Sequence, residues 1–276
     1  MSEENIFHIS TYDMPWSDDP DIPGAKLKIL SKDKDTGAVV RQWFIPPGWG
    51  DEALNGKPDR HYHKTVIERG FHLYGDFPHW EFNSVDDFKG DLSIFKPGLF
   101  MDRPPGSLHG LLPEPKSQAG TVNLSWDTGR GTRIREPEFA DETITVPFDR
   151  DAEVDVDGFT TCRFLETRLM PWEKHPKVED WKIKYLSTGD EGGDSVCLVF
   201  IPYNWSFSNT PEKIAISSQK PWFYVLSGDL IISSESNDFK LMSDDYFGWE
   251  RNAPVKFSSH LLSETGCVAL CSGHLM

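Results

Sequence analysis

The 276-residue chain has no apolar run approaching the roughly 20 residues a membrane-crossing helix needs, which excludes that class of membrane protein. Basic residues are scarce: 28 Lys and Arg stand against 44 Asp and Glu, a net charge of −16. That balance supplies no clustered cationic surface for nucleic acid or anionic lipid, so neither is expected as a partner. Cysteine is sparse too. Cys162, Cys197, Cys267 and Cys271 show neither zinc-type spacing nor the density of a disulfide scaffold, and the last two sit in an apolar run as buried thiols. The opening MSEENIFHIS has acidic residues where a secretory signal needs basic ones, and no apolar core follows. A reducing cytoplasm is the expected location. No long stretch carries the 3.6-residue apolar period of an amphipathic helix.

What the chain does have is short β-branched and aromatic segments. Val39 to Phe44, Val196 to Ile201, Trp222 to Leu226 and Val268 to Cys271 are examples. Twenty Pro and twenty-two Gly punctuate them, and Lys34-Asp35-Thr36-Gly37 reads as a hairpin turn. The fold class is therefore all-β, a sandwich or barrel. An internal repeat divides it. Met14-Pro15-Trp16 returns 156 residues later as Met170-Pro171-Trp172. In the same register, Lys26 to Ser31 returns as Lys182 to Ser187, and Phe44-Ile45-Pro46 as Phe200-Ile201-Pro202. Further on, Leu73-Tyr74-Gly75-Asp76 matches Leu226-Ser227-Gly228-Asp229, and Gly120 to Leu124 matches Gly266 to Leu270. Two copies of one unit are expected: an N-terminal unit over 1–126, a charged linker or crossover segment over 127–157, and a C-terminal unit over 158–276.

Chemistry-bearing residues gather between Gly56 and Gly110. His61 and His63 are two apart, so on a strand both imidazoles project from one face and reach one ion. Glu68 follows five residues later, and His109 comes just after the Pro104-Pro105-Gly106 bend. Three imidazoles and one carboxylate suit a divalent first-row metal. If all four bind an octahedral ion, two adjacent positions stay open; if Glu68 does not bind, three do. Strand parity from Glu68 puts Gly70, His72 and Tyr74 on the same face, making His72 and Tyr74 candidates for contact with a substrate. Arg60 and Arg103 flank the ligands and are candidates for an anionic group. Asn123 and Ser125 are further candidates, whereas Trp43, Trp80 and Phe100 are expected in the core.

The run Gly56…His61-x-His63-x4-Glu68-x6-Gly75 resembles the first conserved motif of the cupins, and Gly98-x5-Pro104-x-Gly106-x2-His109 the second. The resemblance implies two tandem jelly-roll (double-stranded β-helix) barrels in one chain, a bicupin. The MPW…IPG…KLKIL opening and the YHKT segment are similar to the anti-sigma-factor-type cupins and to the dihydroxyacetophenone and acetylacetone dioxygenases. Those relatives imply mononuclear Fe(II), a small dicarbonyl or hydroxy-ketone chelated through two oxygens, and O2-dependent carbon–carbon cleavage. Zn, Mn or Ni suits the same ligands. A cupin isomerase, lyase or hydrolase, or a zinc-binding sensor, is the alternative. Repeat alignment puts Ile214, Ile216, Pro221 and Lys256 where the first unit has its four ligands, so the C-terminal unit is expected to hold no metal and to serve structure. Two barrels in one chain are compatible with a monomer or a homodimer.

Overall fold

The structure, a computed structural model, describes residues 6–20, 22–49, 59–112, 114–129, 133–135, 145–147, 162–189, 194–206, 216–233, 238–249 and 261–275. Among them regular structure is strand alone, and no helix is long and apolar enough to cross a membrane. Gly56, Ile214 and Lys256 lie outside the described residues.

The chain forms two compact units. The first, Trp16–Arg168, faces two sheets to each other. One sheet orders its strands as Arg163–Glu166, Leu99–Arg103, Glu68–Gly75, Thr121–Asp127, Val39–Ile45, Lys26–Lys32 and Ser17–Asp18. The other runs Thr145–Pro147, Arg133–Arg135, Asp59–His63, His109–Leu111, Phe77–Glu81 and Asp91–Phe95. The second unit, Met1–Pro15 with Leu169–Met276, repeats the first sheet strand for strand. Its order is Ile6–Ser10, Asp245–Trp249, Ile216–Ser233, Cys267–Leu275, Val196–Ile201, Lys182–Ser187 and Glu173–Lys174. The fold is the expected duplicated jelly roll.

The unit boundaries differ from 1–126, 127–157 and 158–276. Residues 1–15 belong with the C-terminal repeat, and residues up to Arg168 with the N-terminal one. Ile6–Ser10 pairs antiparallel with Asp245–Trp249, and Arg163–Glu166 pairs antiparallel with Leu99–Arg103. Phe7 and Phe164 are 157 residues apart, so these two strands are repeat equivalents, each completing the other repeat's sheet. Either edge needs partners for its backbone N–H and C=O groups, and either strand can supply them. Local pattern is the same in both arrangements, which is why the sequence does not disclose the exchange. Arg163 locks its strand by donating to Asp102 at 2.7 Å, and Phe164 packs on Phe95 with centroids 5.4 Å apart. On the other side, His8 reaches Asp245 at 3.0 Å and Phe7 packs on Tyr246 at 5.8 Å. The expected linker also contains strands. Arg133–Arg135 pairs with Asp59–His63 and, in parallel, with Thr145–Pro147.

The two interiors differ in kind. In the second unit Trp181, Ile183, Val199, Trp205, Phe223, Leu230 and Phe247 join one packed core. Cys267 and Cys271 lie in it as free buried thiols, and burial pushes the Cys267 thiol up to about 12. The first unit instead holds a cavity of about 400 Å³ between its two sheets.

Both repeats make the same close backbone approach. Gly75 has φ 79° and Gly228 has φ 81°, in the left-handed region that L side chains rarely adopt. A Cβ on Gly75 would run into the carbonyl oxygen of Gly120, and one on Gly228 into that of Gly266. Gly228→Ala is therefore expected to destabilise the protein by at least about 2 kcal/mol, from the left-handed cost plus the backbone collision. Urea unfolding of the variant against wild type measures this.

Candidate metal centre

Cross-strand register builds the site. His61 and His63 alternate with Tyr62 along Asp59–His63, and His109 lies directly opposite His61 on the neighbouring strand. The ring centroids of His61 and His109 are 4.3 Å apart, those of His61 and His63 5.5 Å, and those of His63 and His109 6.0 Å. One nitrogen from each ring falls within 4.8 Å of the others, and among the described residues this is the one group of three or more such side chains that could hold a metal ion. His109 donates from Nδ1 to the Ser107 carbonyl at 2.8 Å, which fixes its ring and leaves the Nε2 lone pair for the site.

Glu68 comes from the facing sheet. Its Oε2 lies 3.2 Å from His109 Nε2 and accepts from Arg103 Nη1 at 3.0 Å. Arg103 sits directly opposite Glu68 in the ladder and is buried. It also donates to Glu81 Oε1 from Nε and Nη2, at 3.1 and 2.8 Å. Burial works against a charged Glu68, but Arg103 first, then His109 and His63, more than offset it and hold the carboxyl well below the usual carboxylate range. Burial likewise disfavours the Arg103 charge, and Glu81 foremost among its neighbours reverses that and raises its pKa. A carboxylate 3.2 Å from His109 Nε2 accepts from it when the ring is protonated; on the neutral ring a cation in contact with both takes the proton's place. The donor set therefore fits a divalent metal.

The remaining expectations divide. His72 lines the cavity, with Nε2 3.3 Å from the Gly75 carbonyl and Thr121 Oγ1 3.2 Å from the same nitrogen. Burial lowers its pKa to about 4, so it is neutral near pH 7. Arg103, Asn123 and Ser125 also line the cavity. Tyr74 does not: it is 53% exposed. The register between Glu68–Gly75 and Thr121–Asp127 shifts between Val122 and Asn123, so Leu73 is an extra residue and the alternation reverses beyond it. Arg60 is also excluded. It alternates with His61, is fully buried on the opposite face, donates to the Asp87 carbonyl at 2.6 Å and lies over Phe88 at 4.3 Å. Trp80 and Phe100 are core, while Trp43 lines the cavity. Two residues escaped the sequence reading, His79 and Glu81. They alternate with Trp80 on Phe77–Glu81, a period-two signal in Phe-Pro-His-Trp-Glu that parity from a known strand start would have exposed.

In the second unit, Pro221 is buried and occupies the repeat position of Glu68. Among its described residues no group of three metal-ligating side chains converges.

No protein-family model matches the sequence, and no curated protein matches it either. Solved structures share the fold. A glyoxylate-induced protein of Pseudomonas aeruginosa superposes with a TM-score of 0.63 at 12% identity, covering 100% of this chain and 91% of its own. Ylba of E. coli gives 0.59 at 11% identity, covering 100% and 93%. Oxalate decarboxylase of Bacillus subtilis gives 0.55 at 14% identity, covering 96% and 75%. These are cupin-fold proteins, and at such identities they establish the fold of this chain alone.

His109→Ala or His61→Ala is expected to cut metal content to below about one-tenth of wild type while the β-sheet circular dichroism persists, read by elemental analysis of the purified protein. The protein is also expected to lose stability in mild acid. An unfolded His72 takes up its proton near pH 6.5, whereas the folded one resists until about 4. Unfolding therefore gains a proton in that window, and stability falls as pH drops from 6.5 to 4, by up to about 3 kcal/mol. His72→Gln should flatten the slope of urea midpoint against pH across this window.

Proposed function

We propose that the chain is a metal-dependent enzyme with its centre in the first barrel. His61, His63 and His109 would be ligands and Glu68 the carboxylate completing the set. The observation that carries the reading is the convergence of the three imidazoles on the wall of the cavity. The cation we favour is Fe(II). We further propose that the reaction is oxidative cleavage of a carbon–carbon bond in a small dicarbonyl or hydroxy-ketone. One O2 would be consumed per bond broken, and both oxygen atoms would end in the two carbonyl or carboxyl products.

A divalent metal held by His61, His63, His109 and Glu68 would supply a Lewis-acidic centre that polarises a chelating pair of oxygens. The protein's own groups supply the rest. Ser107 orients His109 through its carbonyl, and Arg103 holds Glu68 ionised and aimed at the centre. Glu68, Glu81 and Arg103 together carry one net negative charge. A divalent cation turns that into one net positive charge, which a monoanionic chelating ligand neutralises. Dianions fit less well, because the Arg41 guanidinium on the cavity wall is already paired with Asp127 at 2.7 Å. Phe77, Phe95, Leu99, Met101 and Leu111 line the cavity and exclude water from the body of such a ligand. Asn123 and Ser125 offer polar contacts on the facing sheet.

Iron-loaded protein given a panel of β-diketones and α-hydroxy-ketones is expected to take up one O2 per substrate consumed, followed with an oxygen electrode and product analysis. Turnover of the same panel under argon would replace this reading with a non-oxidative isomerase, lyase or hydrolase. Metal-loaded protein inert both in air and under argon would point to the zinc sensor.

A further inference from the structure

His79 has no role in the metal set, yet it stands beside it. Phe77, His79 and Glu81 share one face of their strand, and Glu81 lies opposite His109 in the ladder. The His79 ring lies 5.6 Å from the His109 ring and lines the cavity. Phe95 stacks on it at 5.3 Å with a 10° interplanar angle, and Phe77 packs at 5.7 Å. Arg103 Nη2 meets His79 Nδ1 at 3.1 Å in a buried contact. A guanidinium has only N–H donors, so Nδ1 must present its lone pair. The ring is then neutral, because an imidazolium would set N–H against N–H, and its one proton sits on Nε2.

We propose that His79 binds substrate as a neutral hydrogen-bond donor, giving Nε2–H to an oxygen of the chelating ligand next to the His61–His63–His109 centre. Arg103 is the positioning residue that sets its tautomer. Negative charge that gathers on a chelated enolate or alkoxide oxygen is met by an oriented dipole beside apolar walls, where such a donor acts more strongly than in water. A neutral donor does this without adding a second positive charge beside the cation. The occupant this selects is a bidentate oxygen ligand with one anionic oxygen. The assignment rests on the metal centre argued above.

The test uses the full chain loaded with Co(II), with acetohydroxamate as the probe and the visible cobalt spectrum as the readout. His79→Phe keeps the ring stacked on Phe95 and removes the N–H; His79→Gln keeps an N–H donor near the same place. His79→Phe is expected to bind cobalt at wild-type stoichiometry and acetohydroxamate about 10- to 100-fold more weakly. His79→Gln should recover most of that affinity. His79→Met carries the same expectation as His79→Phe should the aromatic variant not fold. Wild-type acetohydroxamate affinity in a cobalt-replete His79→Phe or His79→Met would overturn the proposal. Loss of cobalt from these variants would also overturn it, by making His79 a support of the ligand set. Failure of wild type itself to take up cobalt would instead remove the metal centre, and the donor assignment with it.

Discussion

A guanidinium buried between two carboxylates governs the first barrel. Arg103 cannot shed its proton, and its side chain is shielded from water. Its charge is tolerable because strand register puts Glu68 opposite it and Glu81 reaches it from a strand of the facing sheet. Removing Arg103 would leave both carboxylates without their counter-charge, at a cost of several kcal/mol. The same five-donor fork then imposes order on three neighbours at once. It keeps Glu68 ionised beside His109, ties Glu81 to the same strand pair, and decides which nitrogen of His79 bears the proton. Electrostatic necessity in the interior thus becomes geometry at the site.

That geometry fits a metal ion. Glu68 and the Nε2 of His109 face each other across 3.2 Å, a contact that either a proton on the ring or a cation between the two can satisfy. His61, opposite His109, and His63, two residues further along the same strand, bring their nitrogens to the same space. Beyond the imidazoles the wall turns aromatic and aliphatic, with Trp43 edge-on to Phe77 at 5.6 Å and Phe95 against His79. A ligand therefore meets donors and charge at one end and a dry surface at the other.

Much of this was legible in residue spacing. The two-residue interval of His61 and His63 named their shared face, and the Pro-x-Gly-x-x-His bend placed His109. The repeat at a 156-residue offset announced the duplication, and the paired Gly75 and Gly228 prove to make one and the same backbone contact. What stayed hidden was whatever depends on which strands are neighbours. The exchange of Ile6–Ser10 for Arg163–Glu166 leaves every local pattern intact. The extra residue at Leu73, which turns Tyr74 outward, is visible only once Thr121–Asp127 is paired with its partner. Arg60 could have been set aside, since the parity that joins His61 to His63 sends Arg60 the other way. His79 and Glu81 could not be assigned to a face while the start of their strand was unknown.

The duplication also separates what the scaffold requires from what the chemistry requires. Both repeats keep the strand order, the left-handed glycine and the reciprocal strand. They part in what their inward positions carry. Trp181 and Trp205, with ring centroids 5.1 Å apart, together with Phe223 and Phe247, join a continuous core in one interior. In the other, imidazoles, a guanidinium and carboxylates leave open volume, because groups that must be hydrogen-bonded in pairs cannot interdigitate as aliphatic and aromatic side chains do. An interior of the first kind contributes burial energy, roughly 25 cal/mol for each Å² of apolar surface removed from water. One of the second kind forgoes part of that and pays desolvation for each charge it keeps.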